Sequence, residues 1–392
     1  VMPRLLFRRD VNIIFSITLV GMFGFPLINP VLPTMRDALG ISTDQIGWVM
    51  TAFALPAFVM MPLTAYLGDR YGRVQVVVPS LLVFAVAGTG TAFVDTFEAL
   101  VAMRALQGAA ASALGTLNVA LVGDIFSGRE RASVMGYLAA LQNGGSGILP
   151  VIGGALALLG WFIPFLLYIL AIPVGLLVLW KLELSEPAQR PDSHAYAGQA
   201  WSALTDRRVL LLLLLSGGFI FVGFGAFVTY IPIFLHDRFG VNEAIIGLII
   251  AARTVSGVTI ASQFGRLANR FSLRALIAFA FAIMALSMAT VPLMPNAAWV
   301  LLTGFGYGVA FAIIRPGLQI AILDAAPDEL RGAFSAAHGL SLRIAQATAP
   351  VLAGLLLLVS DLDGIYVAGA VICVLLMMLT LFARHAFAAS AD

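Results

Sequence analysis

Four arginines, Arg104, Arg253, Arg315 and Arg343, lie inside long apolar runs rather than in the polar stretches between them. A guanidinium stays protonated in a protein and carries five N–H donors in a fixed fork, so a buried one must meet an anion, a dipole or water. If the runs are helical, Arg253 lies roughly 15–20 Å from either end of its run. Arg315 then lies about 13 Å in from Asp324, Arg343 about 18 Å in from Arg331, and Arg104 about 9 Å in from Glu98. No carboxylate shares that depth, because all twenty acidic residues can be placed in loops or at the ends of runs. The chemistry open to such a set is recognition of an anion, since the fork matches a carboxylate or a phosphate. A structural alternative stays open for each. Arg104 can tie helices together through backbone carbonyls, and Arg315 can bond carbonyls freed by a kink at Pro316.

The uncharged polar residues in the same runs are few. Asn29, between Pro26 and Pro30, and Gln142, Asn143, Gln319 and Gln346 either line a cavity or bond a neighbouring helix. Asn29 cannot take up a proton near neutrality. His338 is the one histidine at depth, and its reference pKa lies near neutrality, which makes it the candidate for a coupling proton; packing is its alternative role. Phe219, Phe221, Phe224, Phe227 and Tyr230 crowd one run; lipid-facing packing is the expectation, a cavity wall the alternative. No nucleophile–base signature, no His/Cys/Glu cluster with metal-ligand spacing and no Walker loop occurs. No enzyme, metal, cofactor, ATP drive or nucleic-acid partner is expected.

The elements that must position these residues follow from composition. Of 392 residues, 61% are hydrophobic and only 11% charged, against about 25% charged in a soluble domain. Crossing the hydrocarbon layer takes about 20 helical residues. The charge punctuation predicts twelve transmembrane helices, near 11–35, 44–67, 74–94, 98–123, 131–158, 161–181, 208–235, 244–267, 273–292, 298–323, 331–358 and 364–385. The first run is too long for a signal-peptide core and reads as a retained helix. Sixteen of the 22 basic residues, among them Arg8, Arg70, Arg129, Lys181, Arg208, Arg270 and Arg331, fall in one set of loops, and only Arg36 and Arg238 in the other. That asymmetry puts both termini in the cytoplasm. A bacterial cytoplasmic (inner) membrane is the expected location.

Shifted by 200 residues, the chain matches itself without a gap. Asp37 meets Asp237, Gly40 meets Gly240, Arg70 meets Arg270, and Gly108 meets Gly308. Asp124 meets Asp324, Arg131 meets Arg331, and Pro150 meets Pro350. Charges and prolines at equivalent helix ends are hard to match by chance. The expected organisation is therefore all-α, with two pseudo-symmetric six-helix bundles, 1–181 and 208–392, joined by a polar cytoplasmic linker, 182–207. Such parallel repeats hold a ligand near the midplane between halves that rock alternately.

Three motifs carry a family resemblance. Ala65-Tyr66-Leu67-Gly68-Asp69-Arg70-Tyr71-Gly72-Arg73 resembles the loop signature G-x-L-a-D-r-x-G-r of the major facilitator superfamily, and Gly265 to Ser272 repeats it weakly, with Asn269 in place of Asp. Arg104-Ala105-Leu106-Gln107-Gly108 resembles the R-x-x-q-G signature of that family. Gly147 to Gly154 resembles the antiporter signature G-P-x-x-G-G, carried here by Pro150, Gly153 and Gly154, with Leu149 where the family has Gly. The resemblance implies a twelve-helix major facilitator fold close to the drug–proton antiporter branch. It also implies that Asp69 caps the start of the eleventh helix and that Arg73 pairs with Asp124, so that Asp69, Arg70, Arg73, Asp124 and Arg270 form a gate locking the outward-facing state. Arg343 to Pro350 resembles an eleventh-helix pattern of drug exporters, which offers Arg343 a structural role.

The expected function is secondary active transport by alternating access: proton-coupled efflux of an amphipathic small molecule by a monomer among membrane lipids. The alternative is uptake or exchange of an organic anion, such as a carboxylate, a siderophore or a phosphorylated compound; Asn29, Gln142, Arg253, Arg315, Gln319 and Arg343 are the candidate substrate contacts for either. A non-transporting membrane sensor on the same fold is the third possibility.

Overall fold

The computed structural model describes residues 7–182 and 205–387. Most of the expected linker, 182–207, lies outside them. The described chain is helical, with no strand. We number its long helical segments α1 (Arg9–Leu39), α2 (Thr43–Tyr71), α3 (Arg73–Phe93), α4 (Phe97–Ile125), α5 (Gly128–Ala157), α6 (Ile163–Lys181), α7 (Arg207–Phe239), α8 (Glu243–Arg270), α9 (Leu273–Leu293), α10 (Ala297–Asp324), α11 (Arg331–Leu356) and α12 (Leu362–Phe382). Among the described residues ten segments are long and apolar enough to cross a membrane, and eleven when the bent pair Thr43–Val59 and Met61–Tyr71 counts as one. The remaining expected span, α5, has 30 residues, but Gln142, Asn143 and its glycines dilute its apolarity.

Several boundaries have a local cause. Ser42 and Gln45 form a capping box at the start of α2. Thr96, Ser272 and Asp361 accept N–H bonds from Ala99, Ala275 and Gly364 at the starts of α4, α9 and α12. Gly40 and Gly240 end α1 and α7 in the left-handed conformation at φ 62°, where a side chain would be strained. The 43° bend of α2 falls between Pro56 and Pro62, each of which lacks the N–H of a regular helix.

Two compact units divide the chain: Val1–Gln189 with Gly240–Ala251, and Arg190–Phe239 with Ala252–Asp392. The first unit thus holds α1–α6 and the first turns of α8. Those turns join it because α5 and α8 approach at glycines. A Cβ on Gly154 would overlap the Glu243 carbonyl, and one on Gly247 would overlap the carbonyl of Pro150. The adjacent Gly153 lets the other side of α5 reach the Leu27 carbonyl of α1.

Helix α1 is interrupted. A helix runs from Arg9 to Gly21, short 3-10 turns cover Met22–Gly24 and Asn29–Val31, and helix resumes over Leu32–Leu39. Pro26 and Pro30 cannot donate to the carbonyls one turn before them. Non-helical backbone at membrane depth is tolerated where protein satisfies it. Here Tyr168 Oη donates to Phe23 O at 2.6 Å and Arg104 Nη2 donates to Gly24 O at 2.9 Å.

In the second unit, α7 contains a π-helical stretch, Gly223–Tyr230, inside which Thr229 Oγ1 donates to Phe224 O at 2.7 Å. The expected lipid-facing packing of the α7 aromatics is corrected here. Phe219, Phe227 and Tyr230 are buried. The wider π turn carries Phe227 into the unit, where its ring stacks on Tyr307 at 4.6 Å.

Candidate functional site

The two units bury their cations differently. In the first, Arg104 has no exposed surface. Besides the Gly24 carbonyl it donates to Gln107 Oε1 at 2.8 Å, and its guanidinium carbon lies 4.5 Å from the Phe53 ring centroid. These contacts tie α4 to the broken part of α1 and to α2, the structural role open to it from sequence. Gly108, one turn on, brings α4 against α2: a Cβ there would overlap the Phe53 carbonyl. Asn118 continues the seam, donating to Thr18 Oγ1 at 2.6 Å and Ile14 O at 3.2 Å. Asn29 is buried, and its Oδ1 has no hydrogen-bond partner among the described residues. Gln142 is exposed on α5.

In the second unit Tyr307, Phe311, Arg315 and Gln319 recur every four residues and so share one face of α10. The Tyr307 and Phe311 rings are 6.2 Å apart, with Phe219 of α7 at 6.5 Å and 5.5 Å from them. Arg253 of α8 places its guanidinium 5.8 Å from the Tyr307 centroid, and Arg315 lies 5.5 Å from the centroid of Phe311. Gly308 makes this approach possible, since a Cβ on it would overlap the Arg253 carbonyl. Among the described residues neither arginine has a salt bridge, and Arg253 Nε and Tyr307 Oη have no hydrogen-bond partner. A ring face is worth about 0.5–2 kcal/mol to a cation, whereas removing an ion from water costs several kcal/mol. Arg253 is half-buried and Arg315 exposed, so water or an anion can reach both guanidinium groups.

The other candidates are spread along the same unit. Gln319 Nε2 donates to Ser335 Oγ at 3.4 Å. His338 of α11 is 3% exposed and neither ring nitrogen has a partner among the described residues. Arg343 is exposed, and no described contact joins it to the Tyr307–Phe311 cluster. Sequence reasoning named Arg253 and Arg315 but missed Tyr307 and Phe311. The signal was present as the four-residue spacing that leads to Arg315.

At the loop signature, Arg73 Nε lies 2.8 Å from Asp124 Oδ2, the pairing the resemblance implied. Arg70 donates to Tyr66 Oη at 2.7 Å and lies 5.4 Å from the Tyr71 centroid, and its repeat partner Arg270 lies 5.8 Å from that of Phe271. Gly72, at φ 98°, turns the chain between α2 and α3. Among the described residues no group of three or more His, Cys, Asp or Glu side chains is placed to hold a metal ion.

Comparison with known proteins agrees with this architecture. Multidrug resistance protein 1 of Bacillus subtilis (strain 168) is 26% identical over 365 residues, 91% of this chain and 92% of that protein. Quinolone resistance protein NorA of Staphylococcus aureus is 25% identical over 312 residues, 78% of each. A match to the bacillibactin exporter of Bacillus subtilis, 28% identical, spans 40% of this chain and 41% of that protein. Among solved structures, the nucleoside transporter NupG superposes with a TM-score of 0.79 at 13% identity, covering 95% of this chain and 98% of that one. The human organic anion transporter MFSD10 gives 0.65 at 19% identity, covering 95% and 99%. The model of the Major Facilitator Superfamily matches residues 14–340 and 235–391, and this integral membrane protein belongs to that superfamily of transporters.

Proposed function

We propose that the chain exports an amphipathic small molecule by alternating access, driven by proton entry, as a monomer in a bacterial inner membrane with both termini cytoplasmic. The observation that carries the reading is the glycine seam of α5, where Gly154 meets the Glu243 carbonyl within the motif that resembles an antiporter signature. The names of the multidrug and quinolone resistance relatives support the direction of transport. In this reading 1–181 and 208–392 are the rocking bundles and 182–207 their linker. The Arg73–Asp124 pair, with Asp69, Arg70 and Arg270, holds the cytoplasmic gate. His338 takes the coupling proton in this reading, because the sequence places every acidic residue in a loop or at a helix end. Everted vesicles provide the test: an imposed proton gradient, acid inside and so directed outward, should drive accumulation of a fluorescent quinolone. Gradient-independent accumulation, or none with any amphipathic probe, would end the export reading.

The second reading, exchange of an organic anion, is favoured by one observation: Arg253 and Arg315 have no acidic partner among the described residues. Counterflow of a radiolabelled carboxylate in proteoliposomes without a pH gradient would distinguish it from proton-driven export.

A further inference from the structure

Tyr307 and Phe311 each carry a guanidinium, yet the two arginines are held differently. Arg253 is half-buried and faces Tyr307, whose ring is stacked with Phe227 at 4.6 Å. Arg315 is exposed, one turn beyond Phe311 on the same face of α10. Phe311 itself is only half-buried, with Phe219 and Tyr307 covering part of its ring. The unit therefore places an open fork donor and a partly uncovered aromatic ring on one face of α10, with a second positive charge brought by α8 against Tyr307 of the same ring cluster.

We propose that Arg315, Phe311 and Arg253 form a subsite for an aromatic carboxylate. The carboxylate takes the Arg315 fork, its ring lies against Phe311, and Arg253 adds a fixed field that disfavours cations. Neutral and cationic aromatics can use the ring contact, but only an anion meets the arginines. The repeat supports a ligand role. The positions equivalent to Arg253 and Arg315 are Phe53 and Gly115, so the shared architecture does not require either charge. The inference rests on the transporter reading and narrows its cargo to amphiphiles with an acidic group on an aromatic ring.

Equilibrium binding to the purified full chain tests it without any gradient. The probes are 2-naphthoate, its amide 2-naphthamide and tetraphenylphosphonium. We expect naphthoate to bind at least tenfold more tightly than the amide. Arg315→Gln should weaken naphthoate about tenfold and leave the amide unchanged, Arg315→Lys should recover part of the loss, and Phe311→Leu should weaken both. If Arg315→Gln does not fold, the lysine and leucine variants carry the test. Equal binding of acid and amide, no naphthoate binding, or tighter binding of the phosphonium would overturn the subsite. Gradient-driven flux with no anion preference would sink the subsite and leave export standing. Arginine-dependent naphthoate binding with no flux of any probe would do the reverse.

Discussion

Arg253 presents its guanidinium to Tyr307 across α8 and α10, at the same repeat crossing where Arg104 presents its own to Phe53 across α2 and α4. The crossing is preserved because Gly108 and Gly308 each admit the backbone carbonyl of the partner helix, that of Phe53 in one unit and of Arg253 in the other. The cation has changed helix. Where it sits on α4 it donates to a free carbonyl from the break in α1 and to Gln107 Oε1, with its Nε left unpartnered among the described residues. On α8 no such carbonyl bond forms among the described residues, and the charge is left for something else to meet. The same crossing thus yields a structural arginine in one unit and a candidate ligand-binding arginine in the other.

Replacing either crossing glycine should separate its helix pair. In Gly108→Ala and Gly308→Ala the added methyl meets backbone, which cannot rotate aside, so each should cost about 1–3 kcal/mol. Gly115→Ala and Gly339→Ala, whose Cβ would meet nothing within 4 Å, should be neutral or slightly stabilising in a helix. Thermal melting of the four variants in one detergent checks the contrast.

The broken first helix makes a second prediction. Tyr168→Phe leaves the Phe23 carbonyl without its donor, and Arg104→Met does the same to Gly24; each loss should cost about 1–3 kcal/mol. Both carbonyls belong to one interrupted segment, so the double variant should lose less than the sum of the singles. Full additivity in melting experiments would mean that the two donors support α1 independently.

Helix placement was legible because charged residues punctuate apolar runs. α8 was expected near 244–267 and runs Glu243–Arg270. The break in α1 was foreshadowed by Pro26 and Pro30, but its donors were not, because Tyr168 lies 145 residues from the carbonyl it serves and no spacing rule reaches that far. The α7 aromatics were misjudged for a different reason. A π-helical stretch turns each residue through a smaller angle than an α-helix does, so the face of Phe227, which lies inside the stretch, could not be read from a 3.6-residue period. Arg315 was found as a charge out of place, while its ring partner escaped notice although it sits four residues away.

The Arg73–Asp124 pair separates gating from stability. Its side chains are 22% and 40% exposed, so in solvent the pair should contribute at most about 1 kcal/mol. Asp124→Asn should therefore melt close to the parent while transport in vesicles falls several-fold. The charge exchange Arg73→Asp with Asp124→Arg should recover part of that transport. A fall in melting temperature as large as that of Gly108→Ala would instead make the pair a structural tie.

The paired glycines of α5 distinguish packing from motion. Gly153 faces α1 and Gly154 faces the first turns of α8, so the two positions answer different questions. Gly153→Ala pushes α5 from a neighbour in its own bundle and should lower the melting temperature. Gly154→Ala and Gly247→Ala wedge the seam with α8, which must close and reopen in each cycle if the rocking reading holds. They should fold normally and lose transport, because a substitution that destabilises only the closed seam shifts the population away from it. Cys373, the one cysteine and a buried one, gives a simple background for measuring this. With Cys373→Ala and a reporter Val151→Cys in the seam, Gly247→Ala should raise the maleimide labelling rate at the reporter several-fold. Unchanged labelling together with unchanged transport would show that the seam stays shut throughout turnover and that the antiporter-like motif serves packing alone.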